Sequence, residues 1–323
     1  MEGLRGFLIR SDRSCSRVAS TAAAEAAAAE GTKLLWIDLE GDLSPETGAE
    51  LARILEWHPI VLQNFRESSS RPKLIEFDRY SQITLHALDL AAPKGGEPTI
   101  EIDLVLSKNC LVTCHRRKVQ SIDEAMDDLE GGRFLPGGAD EMLYHVVSRL
   151  LDKYAPAVEG NRERIARLET EAMYSPSTDL LERIVLARDD ILELGLAMAP
   201  QQIILSQLGT GICRHVRPFI RPYFRDAESR LRNLLDEQNS YKEMLANTLE
   251  LYRSAMSSRT NETMKVLTAM SALFLPLTFV TGLFGMNVEL PLSHQHHAFL
   301  IIIVLCLASF AGMTAFFKVR KWF

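Results

Sequence analysis

The chain has 323 residues, 47% apolar and 24% charged, with a formal net charge of −6 and a mean hydropathy of −0.01. These averages exclude a collagen, a disulfide-rich miniprotein and a wholly disordered chain, and the acidic balance argues against nucleic acid as a partner, since that needs a basic surface. The hydropathy average hides an asymmetry: nearly all the long uncharged sequence lies near the C-terminus.

Met1–Glu30 is polar and then Ala-rich, without the apolar core of a signal peptide, and residues 1–32 read as a mobile or weakly helical tail. Lys33–Leu39 has the alternation of a strand, and Ser44–Trp57 has helical spacing with Leu51, Ile54 and Leu55 as its stripe. Ser81–Leu90, Glu101–Ser107 and Cys110–His115 read as strands and Val119–Leu129 as a helix, so residues 33–138 form an α/β domain. The five cysteines, Cys15, Cys110, Cys114, Cys213 and Cys306, contain no Cys-x-x-Cys pair and read as reduced thiols. Cys110 and Cys114 share a strand face beside His115, and core packing is the better reading there than a metal site.

Residues 139–221 read as an antiparallel helical pair, Ala139–Tyr174 and Thr178–Gly209, joined at Ser175–Pro176, with Pro156 and Pro200 as points of kinking. A third helical pattern starts near Pro222–Asp226 and meets no Gly or Pro before Pro276. Continuous from Phe224 to Phe284 it is about 90 Å long. A helix of that length needs neighbours, most simply copies of itself.

Val266–Val288 is 23 residues without a charge and Ala298–Phe317 is 20 more, each long enough to cross a hydrocarbon layer of about 30 Å. The alternative, two buried core helices, is disfavoured because a helix of a soluble protein rarely runs about 20 residues without a charged face. The stalk over 222–287 thus runs into a first transmembrane helix, an outer loop spans 288–297, a second transmembrane helix spans 298–317, and 318–323 is a basic tail. Arg253, Arg259 and Lys265 precede the first span, Lys318, Arg320 and Lys321 follow the second, and the loop has neither Lys nor Arg. The positive-inside rule puts both termini in the cytoplasm and the loop outside.

Along the first span, Asn261, Met264, Thr268, Ser271, Leu275, Thr278, Gly282 and Gly285 fall within a stripe about 120° wide at about 100° per residue. Hydroxyls and amides inside a membrane face another helix or water. The stripe is therefore either a packing seam, with Gly282 and Gly285 allowing close approach, or a pore wall. It has no carboxylate, so it suits a hydrated cation that must also leave. Met264 and Leu275 supply apolar constrictions. Gly285-Met286-Asn287 ends the span, the glycine permitting a turn and Asn287 offering a carbonyl oxygen at a pore mouth.

The string Asn261-Glu262-Thr263-Met264-Lys265-Val266-Leu267-Thr268, then Phe274-Leu275-Pro276-Leu277-Thr278-Phe279, Gly282-x-x-Gly285-Met286-Asn287 and the Lys318–Phe323 ending resemble the CorA-type metal ion transporter family. His58-Pro59, Arg71-Pro72-Lys73, Lys108–Thr113 and Tyr223-Phe224-Arg225-Asp226 are similar to further family runs. The resemblance implies an α+β membrane protein. Its N-terminal cytoplasmic α/β domain, long helical stalk and two C-terminal transmembrane helices assemble as a homopentameric funnel in the inner membrane. It implies passage of Mg2+, often also Co2+ or Ni2+, without nucleotide hydrolysis. It also implies that Asn287 holds the hydrated ion while Asn261, Met264, Leu267, Thr268, Ser271, Leu275 and Thr278 line the pore. No phosphate-binding loop, nucleophile elbow or His-Glu-x-x-His motif is found, so neither an enzyme nor a cofactor is expected.

Two departures stand out. The family's regulatory Mg2+ site pairs an acidic residue after the His-Pro with the aspartate that matches Asp226. Here the partner positions are Gln63 and Asn64, and a carboxylate with an amide holds a hard dication less well than two carboxylates. Feedback by Mg2+ is thus expected to be weakened or relocated. The loop carries Glu289, His294, His296 and His297, either incidental polar residues or a zinc-capturing set. Arg116–Gly132 and Phe279–Phe284 resemble the family's ZntB zinc branch, whereas Asn261-x-x-Met264-Lys265 and Met286 resemble its magnesium branch. Zinc transport, with or without proton coupling, is the rival within the class. A membrane-anchored coiled-coil sensor or scaffold without transport is the rival outside it.

Overall fold

The computed structural model describes residues 4–12, 14–18, 32–67, 71–89, 99–286 and 297–320. In chain order the elements are β1 (Leu4–Arg10), β2 (Cys15–Val18), β3 (Thr32–Glu40), α1 (Pro45–Ile54), α2 (Pro59–Arg66), β4 (Lys73–Glu76), β5 (Tyr80–Leu88), β6 (Thr99–Ser107) and β7 (Cys110–His115). The helices α3 (Gln120–Glu130), α4 (Ala139–Tyr174), α5 (Thr178–Thr210), α6 (Arg221–Phe284) and α7 (Ala298–Val319) follow. The chain divides into two compact units. One is Met1–Glu169 with Leu181–Thr248, and the other is Thr170–Leu180 with Leu249–Phe323.

The first unit is built on a seven-stranded sheet in the order β2-β1-β3-β7-β6-β5-β4. Its pairs are antiparallel except β3 with β7. The segment that composition reads as a tail contributes β1 and β2, so the sheet begins well before residue 33. Phe7, Leu8 and Ile9 are all buried, because β1 has one sheet face on each side of its pleat. Gly6 is needed there: a Cβ at that position would lie 2.6 Å from the carbonyl oxygen of Trp36 on β3.

The expected helix Ser44–Trp57 is shorter and is followed by a second one. Ser44 caps α1 by accepting from the Thr47 amide at 3.1 Å. The chain leaves the helix at Leu55, Glu56 takes φ of 52°, and His58 caps α2 through Nδ1, 3.2 Å from the Ile60 amide. The His58-Pro59 step enforces the break, since the residue before a proline avoids helical backbone angles. Pro156 and Pro200 lie inside α4 and α5, each a single helix.

One sheet face carries Leu35, Ile37, Leu39, Val105, Cys110, Val112 and Cys114, packed with Leu51 of α1 and Val61 and Phe65 of α2. Cys110 and Cys114 are core residues whose thiols burial pushes up to about 12, well away from metal-binding thiolates. His115 points to the other face. There its Nε2 lies 3.1 Å from Asp38 Oδ1, Thr113 Oγ1 donates to the same oxygen at 2.5 Å, and Arg5 Nη2 donates to Asp38 Oδ2 at 2.7 Å. Burial alone would raise the Asp38 carboxyl, but the His115 contact, with Thr113 and Arg5, holds it below its ordinary value. Burial alone would lower His115, and Asp38 raises it instead. On this face Tyr154 of α4 donates to the His86 carbonyl at 2.9 Å. Gln201 Nε2 of α5 donates to the Tyr154 hydroxyl at 2.9 Å, which fixes the two long helices to β5.

Over Val266–Phe284 in the second unit, the side chains least exposed on α6 are Ala269, Ala272, Leu273, Pro276, Leu277, Val280 and Phe284. On α7 they are Ile302, Cys306, Ser309, Met313 and Phe317. Both sets recur at three- and four-residue spacing, the pattern of a helix–helix seam. The rest of the apolar stretches is open: α6 and Phe299–Val319 each hold an apolar window long enough to cross a membrane, of which 6% and 0% is buried.

Candidate ion pathway

Asn261, Met264, Leu267, Thr268, Ser271, Leu275 and Thr278 all lie on α6 and all are exposed. Met264 is 54% and Leu275 70% accessible. At about 100° per residue their stripe is centred roughly 150° from the seam stripe, so the polar side of α6 is not consumed by packing within the chain. A Cβ at Gly282 would meet nothing within 4 Å, so this glycine serves no close approach inside the chain.

The hydroxyl at Thr278 donates to the Phe274 carbonyl at 2.9 Å. With its proton spent on the helix, the oxygen presents only acceptor lone pairs outward, which suits a cation or its water shell. Asn261 adds an amide, and Met264, Leu267 and Leu275 interrupt the polar atoms with apolar rings in any symmetric assembly. Helix α6 ends at Phe284, and Gly285 and Met286 turn away with amides bonded to Thr281 at 2.9 Å and Leu283 at 3.4 Å. Asn287, Glu289, His294 and His296 lie outside the described residues. His297 is exposed at the start of α7, where its carbonyl accepts from Ile301 at 3.1 Å.

The expected regulatory pair is less able to hold a dication than its residue types suggest. Asp226 is exposed near the start of α6. Asn64 of α2 donates to Gln82 Oε1 at 2.9 Å, and its carbonyl oxygen accepts from the Lys73 ammonium at 3.0 Å. The ligand atom that Asn64 could offer is thus held by a cation already. Gln63 is engaged with Glu67 at 3.0 Å. Lys73 and Gln82 were not singled out from the sequence. The Arg71-Pro72-Lys73 run was the available signal, but only register places Lys73 opposite Thr84 on β5, beside Gln82 on the same face. Among the described residues no group of three or more His, Cys, Asp or Glu side chains is arranged to hold a metal ion.

Beneath α2 the same sheet face holds Asp103, whose carboxyl burial pushes up to about 7. A hydrogen bond from Thr84 at 2.6 Å opposes that rise and neighbouring Glu101 adds to it.

Comparison with known proteins places this geometry. The CorA-like Mg2+ transporter protein family matches residues 31–320. The cobalt/magnesium transport protein CorA of Thermotoga maritima is 27% identical over 294 residues, covering 89% of this chain and 83% of that one. The zinc transport protein ZntB of Yersinia pseudotuberculosis is 24% identical over 303 residues, covering 94% and 92%. The complete structure of the CorA magnesium transporter from Methanocaldococcus jannaschii superposes with a TM-score of 0.86 at 18% identity, over 100% of this chain and 99% of that one, which establishes the fold. Sheet, long helix and paired apolar helices thus agree with a match over nearly the whole sequence: the chain belongs to the CorA-like Mg2+ transporter family.

Proposed function

We propose that this divalent metal cation transporter carries Mg2+, with Co2+ or Ni2+ as further substrates, through a central pore lined by α6 from each copy of a homopentamer. The carrying observation is the exposed acceptor stripe Asn261–Thr278 set opposite the seam stripe of the same helix. Neutral oxygens exchange a hydrated dication without trapping it, and Gly285-Met286-Asn287 stands where the ion is first held. The assembly lies in the inner membrane with both termini cytoplasmic, in keeping with basic residues on the flanks of the spans and none in the loop.

A second reading is supported by the ZntB likeness and by His294, His296 and His297. In it Zn2+ is the substrate and a proton gradient contributes. Flux of Mg2+ and of Zn2+ into proteoliposomes, each with and without a pH gradient, decides between them. The Mg2+ reading expects Mg2+ uptake indifferent to the pH gradient and abolished by Asn287→Ala. Zn2+ uptake that rises with the gradient, with Mg2+ excluded, contradicts it. An absence of both fluxes, with Asn287→Ala silent, supports the scaffold alternative.

A further inference from the structure

The turn between α4 and α5 presents an apolar tip. Met173 is 54% and Tyr174 79% exposed, side by side at the end of α4. The tip belongs to the same compact unit as the two apolar helices. Part of its backbone hydrogen bonding is met within the same unit. The Ser175 amide donates to the Glu171 carbonyl at 2.8 Å, and the Leu180 amide donates to Ser177 Oγ at 3.2 Å. Pro176 has no amide proton, and its carbonyl accepts from Arg259 Nη1 at 3.5 Å.

The contact to Arg259 also fixes a depth and a direction within this unit. Arg259 lies seven residues before Val266, where the uncharged run begins, which is about 10 Å along the helix. The polar layer on each side of the hydrocarbon is about 5–7 Å thick, so a tyrosine ring at this height reaches into it. At about 100° per residue Arg259 points roughly 140° away from the centre of the Asn261–Thr278 stripe. The tip therefore lies on the side of α6 turned from the Asn261–Thr278 stripe, in line with Leu277 at the edge of the seam.

We propose that the α4–α5 tip rests in the phospholipid headgroup layer, with Met173 and Tyr174 as the side chains in contact. The ring of Tyr174 lies towards the acyl boundary and its hydroxyl stays among the headgroups, the usual use of tyrosine at that depth. The inference depends on reading α6 and α7 as membrane spans.

The test is nitroxide accessibility in the full chain, reconstituted in phosphatidylcholine/phosphatidylglycerol bilayers. Cys15 and Cys306 are replaced by Ser and Ala, and the label is placed by Tyr174→Cys, Met173→Cys, Arg188→Cys as an exposed reference, or Leu305→Cys as a span reference. The expected result is an oxygen-to-nickel-chelate accessibility ratio at 173 and 174 about threefold above that at 188 and below that at 305, as for an interfacial site. A ratio at 174 equal to that at 188 puts the tip in water and overturns the proposal. Immobilisation at 174 with exclusion of both reagents puts it against protein, such as a second copy, and also overturns it. Loss of oxygen preference at 305 overturns the span reading itself and is distinguished by that position.

Discussion

In the sheet-bearing unit, key polar side chains find partners inside the same chain: Asp38 is held by Arg5, Thr113 and His115, and Asn64 by Gln82 and Lys73. In the unit with α7, the hydroxyls of Thr278, Thr281 and Thr314 bond to carbonyls of their own helix, at 2.8 to 3.2 Å. Their outer lone pairs and most of the apolar surface around them are left open. The first unit meets these polar groups with its own side chains. The second is covered on one narrow stripe per helix, and its open apolar faces are those of membrane-spanning helices; in the proposed assembly other copies surround the polar stripe. Substitutions should therefore act as stability changes in one unit and as transport changes in the other.

The largest expected effect is on transport. Asn287→Ala should lower Mg2+ flux by more than about tenfold, by removing the carbonyl oxygens at the pore mouth, while the denaturation midpoint read from Trp36 and Trp57 stays put. A flux within twofold of the parent (about 0.4 kcal/mol) would break the comparison on the membrane side. Next comes Asp38→Ala, which leaves Arg5 and His115 without their buried anion and should destabilise the sheet by about 3–5 kcal/mol, seen as an earlier denaturant midpoint. Ion preference in the surviving protein should not move.

Two titrations in the sheet run in opposite senses. Asp38 is depressed, so its contribution is present at neutral pH and is lost as pH falls through its lowered value. The share from His115 is lost as pH rises above about 6.5 through its raised folded value. Asp103 is raised to about 7, so the folded state keeps a proton that the unfolded chain releases near pH 4. Stability from this group therefore falls as pH rises from about 4 to 7. Asp103→Asn, which mimics the protonated acid, should remove that slope and gain on the order of 2–4 kcal/mol at pH 8 relative to pH 4. An unchanged slope in denaturant titrations at the two pH values would place the effect elsewhere. The smallest effect is expected at Asp226. With the Asn64 oxygen already bound by Lys73, Asp226→Ala should shift the Mg2+ concentration for half-closure by less than about threefold. A loss of closure altogether would restore a strong regulatory site at this position.

The long features were legible before any coordinates. The uncharged runs from Val266 and Ala298, and the three- and four-residue recurrence along α6, are properties of one helix at a time, and periodicity reports them directly. The strands β3, β5, β6 and β7 were legible for the same reason. Strands β1 and β2 were not, because the polar, Ala-rich sequence after residue 18 obscured the short Phe7–Ile9 run, and their burial depends on β3 supplying the partner edge. The break at His58-Pro59 was present in the sequence as a proline but was outweighed by the helical spacing before it. Of the candidate site, the stripe on α6 was readable as a list of residues. Which side of the helix the chain itself uses was not, since the seam with α7 sets it. Lys73 beside Asn64 depends on strand register across β4 and β5, which no local pattern encodes.

The central claim, that the Asn261–Thr278 side of α6 faces a water-filled ion path, is tested most directly by thiol modification of the reconstituted chain lacking Cys15 and Cys306. A charged methanethiosulfonate reagent should label Ser271→Cys, Leu275→Cys and Thr278→Cys and block Mg2+ flux, while Leu273→Cys, Leu277→Cys and Val280→Cys stay unlabelled with flux intact. Equal labelling of the two sets, or a block confined to the second, would contradict the account.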